Sequence, residues 1–194
     1  SDSDTGFGLN LSTGLAASVG ETTATLNPGR VDLWSYEVLE VRLLAGSLVS
    51  RPEIDVLGGA NVLAVEHTAG TWEIVQFKTA TLVGANTWQL TGLLRGQQGT
   101  EFARDPGGLA AGARVVILDG GVVPVEMTAA DIGRAFYWRA TPVGKDPADA
   151  TSQAHTFEGV GRRPYAPAHF SATVSGGLLS ATWTRRTRLI EGDT

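Results

Sequence analysis

From Tyr36 to Leu44 the chain alternates, with Leu39, Val41 and Leu43 on one face of an extended segment and Glu40 and Arg42 on the other. That is the period-two signature of a half-buried strand. Strand-compatible residues recur from Trp72 to Val83 and from Thr87 to Leu94, and Gly84, Ala85 and Asn86 between them supply a hairpin turn. Shorter strand patterns lie at Asn61–Glu66, Arg114–Leu118, Phe136–Ala140 and Gln153–Phe157. Ala168–Val174 and Leu178–Thr184 predict a further hairpin across Ser175, Gly176 and Gly177. Leu11–Val19 and Thr22–Leu26 read as a short hairpin around Gly20 and Glu21, followed by the punctuation of Asn27, Pro28 and Gly29. Helical signals are few. Ser50, as an N-cap ahead of Pro52 and Glu53, predicts about two turns ending at Gly58 and Gly59, and Thr128–Gly133 predicts one turn capped by Thr128 with Asp131 near its positive end.

These elements predict a mainly β fold, an antiparallel barrel or sandwich with one or two short helices. Glycine makes up about 13% of the chain against a usual ~7%, an excess that fits many turns between short strands. Ser1–Gly8 reads as a linker or cut end, and residues 9–162 as the β-rich domain. Arg163, Pro164, Tyr165, Ala166 and Pro167 predict a stiff, extended hinge, because proline restricts both itself and the residue before it. Residues 163–194 then comprise the hinge and the start of a second β-module.

Charge and composition narrow the function. The 194 residues carry a net charge of −5, with basic residues scattered except near the C-terminus, which argues against a nucleic-acid-binding surface. No apolar run approaches the roughly 18 to 20 residues of a membrane-spanning helix. Cysteine is absent, so disulfides and thiolate chemistry are excluded. Arginine outnumbers lysine thirteen to two, Lys78 and Lys145 being the two lysines.

The most distinctive stretch is Asn86–Phe102, NTWQLTGLLRGQQGTEF, where a strand runs directly into a glycine-punctuated loop. Gly96 and Gly99 flank Gln97 and Gln98, so the backbone can take positive φ and fold beneath one long side chain. That side chain is Arg95, whose five donors suit loop carbonyls or a carboxylate such as Glu101 or Asp105. Arg95, Gly96, Gly99 and Glu101 are therefore the candidate structural loop. LLRGQQGTE with the preceding WEIVQF, GGANVLAV at Gly58–Val65, and RPYAPAHFSATVSGGLLSATWTRRTRLIEGD at Arg163–Asp193 together resemble one family. It is the carboxy-terminal part of the large tail-tip protein of gene transfer agents and related siphophages, variously called host-specificity, megatron or baseplate-hub proteins.

The resemblance implies a structural role in a phage-like tail tip or baseplate, assembled in the bacterial cytoplasm, with other tail proteins and further copies of itself as partners. A cell-surface glycan or receptor would be the outer partner. It also implies that residues 163–194 begin a fibronectin type III-like module, here far short of the usual strands, so that the chain would be a fragment of a larger protein. Some full-length members of the family carry a sugar-hydrolase-like barrel, but no residues here match it.

Candidate chemistry is sparse. His67, His155 and His169 have no second metal ligand at metal-binding spacing, and each reads as a loop or strand-edge residue. No GxSxG elbow, phosphate loop or dinucleotide fingerprint occurs, so no catalytic residue, metal or cofactor is expected. Glu66, Glu73, Glu101 and Asp105 are the acids from which a glycosidase pair would have to come. Trp34, Trp72, Trp88, Trp138 and Trp183 read as strand-packing residues, the alternative being an aromatic platform for sugar rings. Trp183, Arg185, Arg186 and Arg188 are candidate interaction residues, the arginines stacking on the indole and pairing with acids at a domain junction. The competing functions are a carbohydrate-binding module of a secreted protein and a cell-wall hydrolase.

Overall fold

The computed structural model describes residues 11–31, 34–68, 70–104 and 107–186. Two compact units are present, one built on Leu15–Val122 with the segment from Gly161 onward, the other on Val123–Val160. In the first, six strands close into a barrel: β1 Val19–Thr22, β2 Leu39–Leu43, β3 Val62–Thr68, β4 Thr71–Gly84, β5 Thr87–Gln97 and β6 Arg114–Ile117. Their order is β1-β2-β5-β4-β3-β6, and β6 pairs back onto β1. Every ladder is antiparallel, and closure removes the exposed edges that an open sheet would present. The expected mainly β architecture is present, and between barrel and sandwich it is a barrel.

Alternation fills the interior. Leu39, Val41 and Leu43 of β2 are buried as their spacing predicts, and they join Leu63, Val65, Val75, Phe77, Leu90, Leu93, Val115 and Ile117 in one core cluster. The hairpin of β4 and β5 is the longest pairing, turning at Ala85 and Asn86, where Asn86 takes φ 51°. Opposite Val75 the register shifts, because Ile74 pairs with Gln97 while Gln76 pairs with Leu94, so Arg95 and Gly96 together form a bulge. Gly96 takes φ 61° there, and a bulge of this kind bends the strand and redirects its side chains.

Two expectations need correction. No hairpin forms around Gly20 and Glu21; both lie inside β1, with Gly20 facing Leu43 on one side and Val115 on the other. A Cβ on Gly20 would come within 2.2 Å of the Arg42 carbonyl oxygen. The glycine permits close approach of two strands and makes no bend. The helix α1, Glu53–Leu57, is only five residues long and is not capped by Ser50. Ser50 Oγ instead accepts from the Ala80 N–H at 3.0 Å, across to β4. His67, read as a loop or strand-edge residue, lies next to the end of strand β3 with its side chain buried.

In the second unit, β7 Ala135–Trp138 pairs with β8 Gln153–Thr156. The expected turn at Thr128 forms as a 3-10 turn, Ala129–Asp131, with the Asp131 carboxylate accepting from the Thr128 N–H at 2.9 Å. Returning to the first unit, β9 Ala168–Ser175 and β10 Leu178–Thr184 make a separate two-stranded sheet, the second expected hairpin. Among the described residues, no helix is long and apolar enough to cross a membrane.

The Gly20 contact yields a direct test. Gly20→Ala should destabilise the barrel by about 1–3 kcal/mol, the usual cost of forcing atoms into a filled site. Gly14→Ala, which meets nothing within 4 Å, should move the urea midpoint by less than a third as much. Equal midpoints for the two variants would contradict the close-approach role.

Candidate functional site

At one end of the barrel the inward positions change from apolar to charged. Along β3 the sequence Leu63, Val65, His67 points inward; along β4 it is Phe77, Val75, Glu73; and on β5 Leu93 is followed by Arg95. Glu73 is fully buried and Arg95 only 1% exposed. Glu73 Oε1 accepts from Arg95 Nε at 2.7 Å and from the Gly96 N–H at 2.8 Å. Oε2 accepts from Arg95 Nη2 at 2.7 Å, and His67 Nε2 lies 2.7 Å from it. Burial alone pushes the Glu73 carboxyl up, but the hydrogen bonds from His67 and Arg95, the Arg95 charge and the Gly96 N–H together outweigh it and hold the group below the usual range. The carboxylate is therefore ionised, and His67 donates to it through Nε2.

This pair also fixes the loop that follows. Arg95 Nη1 donates to the Asn27 carbonyl at 3.0 Å, and Arg104 Nη1 donates to the carbonyls of Pro28, at 2.8 Å, and Gly29. The Asn27–Gly29 turn is thus clamped by two guanidiniums. Gln98 and Gly99 take φ 51° and 89°, and Thr100 Oγ1 donates to the Gln97 carbonyl at 2.7 Å while accepting from the Ile74 N–H at 2.8 Å. The loop closes into the 3-10 turn Thr100–Ala103.

Glu101 is not the partner of Arg95. Its Oε1 accepts from Arg186 Nη1 at 2.8 Å and its Oε2 from the Ala166 N–H at 2.7 Å. Arg186 also donates to the Val31 carbonyl at 3.2 Å and lies over the Tyr165 ring at 4.4 Å. A Cβ on Gly96 would come within 2.8 Å of Glu101 Cγ, so this glycine serves both its left-handed φ and the approach of the acid. Gly96 and Glu101 thus bring the arginine loop and the strap 163–186 together. Of the other candidate interaction residues, Trp183 is 59% exposed on β10, Arg185 follows that strand, and Arg188 lies outside the described residues, as does Asp105.

Elsewhere on the barrel wall, Arg114 holds Glu66 through Nε at 2.5 Å and Nη2 at 2.6 Å, and its guanidinium lies 5.4 Å from the Trp72 ring centroid. The hydrogen bond from Arg114, then that from the Gly70 N–H, pulls the Glu66 carboxyl down to about 2. A cleft of about 570 Å³ opens beside this pair, lined by Glu66, His67 and Gly108–Arg114. Among the described residues no group of three or more acids or histidines is placed to hold a metal ion. Glu66, Glu73 and Glu101 are each paired with an arginine, and each pair links segments distant in sequence. Trp34, Trp72, Trp88 and Trp138 are all partly buried, Trp88 packing against the core.

The sequence drew attention to Arg95 but paired it with Glu101 or Asp105, and did not bring Glu73 and His67 to it. A signal was present: in WEIVQF, Glu73 shares its parity with Val75 and Phe77, so a strand that buries those two must bury the acid as well. A buried acid then requires a cation.

A family model described as "Rcc01698-like, C-terminal" matches residues 17–116. That span opens two residues before β1 and closes one residue before the end of β6, so the matched unit is the barrel itself. No curated protein matches the chain.

Two outcomes test the cluster. Arg95→Ala leaves a buried carboxylate without its main partner and should cost about 3–5 kcal/mol, read by urea unfolding, with increased protease cutting in 96–101. An unchanged midpoint would remove Arg95 from the architecture. The second test is pH. Glu73 and Glu66 have folded-state values below their ordinary ~4.3, so the unfolded chain binds more protons as pH falls through that value. Stability from these carboxylates is complete above ~4.3 and is lost on descent toward the folded values, about 2 for Glu66. Glu73→Gln should flatten the stability profile below ~pH 4.3 relative to the native chain; an identical acid limb would count against it.

Proposed function

Because the chain belongs to the Rcc01698-like, C-terminal family, we propose that it is a structural part of the tail tip or baseplate of a phage-like particle, acting in assembly and in contact with the host envelope. The family match supports a shared barrel, and the strings LLRGQQGTE and WTRRTR supply the likeness to gene transfer agent and siphophage tail-tip proteins. The observation that carries a mechanical role is the use of charge. Arg95, Arg104, Arg114 and Arg186 all reach across the chain to carbonyls or carboxylates, so each tethers segments distant in sequence. A part that transmits force or holds register benefits from such ties, since several must break together before the loop moves.

A non-catalytic role is part of this reading, and the pairing of Glu66, Glu73 and Glu101 with arginines supports it. The carbohydrate-module reading would want at least two coplanar exposed indoles, and the partial burial of Trp34, Trp72, Trp88 and Trp138 gives it little support.

Antibodies against this chain should decorate the distal end of tails in particles purified from producing cells, and its gene should adjoin other tail genes. Chain recovered only free of particles, with no tail genes nearby, would defeat the proposal.

A further inference from the structure

The cleft beside Glu66 and Arg114 brings an exposed cation to backbone groups that the fold leaves unused. Glu66 takes one edge of the Arg114 guanidinium, through Nε and Nη2. A planar guanidinium has a second edge of parallel donors, Nη1 with the outer N–H of Nη2, and among the described residues Nη1 meets no acceptor. The Arg114 side chain is 69% exposed and that of Glu66 10%, so the pair turns its cation outward and keeps its anion in. Trp72, 5.4 Å from the guanidinium to its ring centroid, backs the fork. The other wall is the run GLAAGA, Gly108–Ala113. Its inner groups are spent on β1 and the turn beyond: Leu109 exchanges both backbone bonds with Leu26, while the Gly112 N–H and the Ala113 C=O bond to Thr22. The Ala110 N–H and both the N–H and C=O of Ala111 have no partner among the described residues. With no side chain longer than a methyl at Ala110, Ala111 and Gly112, a ligand's backbone can approach them closely.

We propose that this cleft binds the free carboxylate end of a short peptide, with the carboxylate on the Nη1–Nη2 edge of Arg114 and the peptide backbone along Ala110 and Ala111. A fork of two parallel donors matches the two oxygens of a carboxylate, and unpaired backbone groups beside it give the following peptide units their partners. Charge selects the ligand. Glu66 is held at about 2 and stays ionised at neutral pH, so it neutralises the arginine already beside it. A multiply charged phosphate would meet that carboxylate as a like charge, whereas a singly charged end group is repelled least. The volume of about 570 Å³ falls within the ~300–1,000 Å³ of small-ligand sites, room for a chain end and not for a folded partner. The proposal does not depend on the tail-tip reading.

Heteronuclear NMR titration of the full chain with N-acetyl-dialanine, up to about 10 mM, should shift the Arg114 Nε–H and the Ala110 and Ala111 N–H resonances with a Kd in the millimolar range. The C-terminal amide of the same peptide, and acetate alone, should each bind at least ~tenfold more weakly. Inorganic phosphate should not displace the acid. Arg114→Lys keeps a charge beside Glu66 but removes the fork, and should weaken binding at least ~tenfold. Ala111→Leu, at an exposed position, should weaken it as much by covering the wall while leaving the ion pair and the urea midpoint unchanged, and it serves as the second variant if Arg114→Lys fails to fold. An absence of shifts across the titration would overturn the proposal. So would equal affinity for the acid and its amide, equal affinity for acetate, displacement by phosphate, or undiminished binding to the folded variants.

Discussion

One buried carboxylate organises the end of the barrel. Glu73 lies at the barrel end, inward in line with Val75 and Phe77, and both its oxygens are saturated by Arg95, Gly96 and His67. A carboxylate without those donors would either abandon its charge or abandon the interior. Because Arg95 meets it with two parallel donors, the pair fixes an orientation as well as a distance. A buried ion pair is weak evidence of net stability, since an apolar pair of similar volume often does as well. Here the carboxylate also satisfies a backbone N–H in the bulge, and Arg95 satisfies the Asn27 carbonyl, so an apolar replacement would orphan both. The pair therefore specifies the path of the loop, a task that packing alone cannot perform.

From that pair the remaining architecture follows outward. The bulge at Arg95 and Gly96 turns β5 so that the loop folds back over the barrel end, and Gly96 leaves room for Glu101. Glu101 in turn receives Arg186 and the Ala166 N–H, which seats the strap 163–186. Three carboxylate–arginine ties, at Glu66, Glu73 and Glu101, thus join β3 to β6, β4 to β5 and the loop to the strap.

Much of the barrel was legible because it rests on period two. Leu39, Val41 and Leu43 announce β2, and Gly84–Asn86 announces the β4–β5 turn, since both signals are local. What failed was chemistry settled by partners distant in sequence. Gly20 looks like a bend until Arg42 approaches it, and Ser50 looks like a cap until Ala80 offers a better partner. Arg95 was identifiable as an anchor from its glycines, but its partner is 22 residues upstream on the adjacent strand, outside the loop where Glu101 invited the choice. The site was therefore half legible: the arginine by its setting, the acid only by its parity with Val75 and Phe77.

The same physics separates the two ends of the first unit. In the barrel, side chains that cannot face water are closed in by the ring of strands, and charged ones that turn inward find partners within reach. The β9–β10 hairpin repeats the alternation with two strands only, so among the described residues its outer apolar rows stay exposed. Two strands can curve over too little surface to shield Phe170 and Trp183 from water, whatever their register. Ala168, at the foot of the hairpin, is buried, which anchors its base and leaves the outer rows projecting.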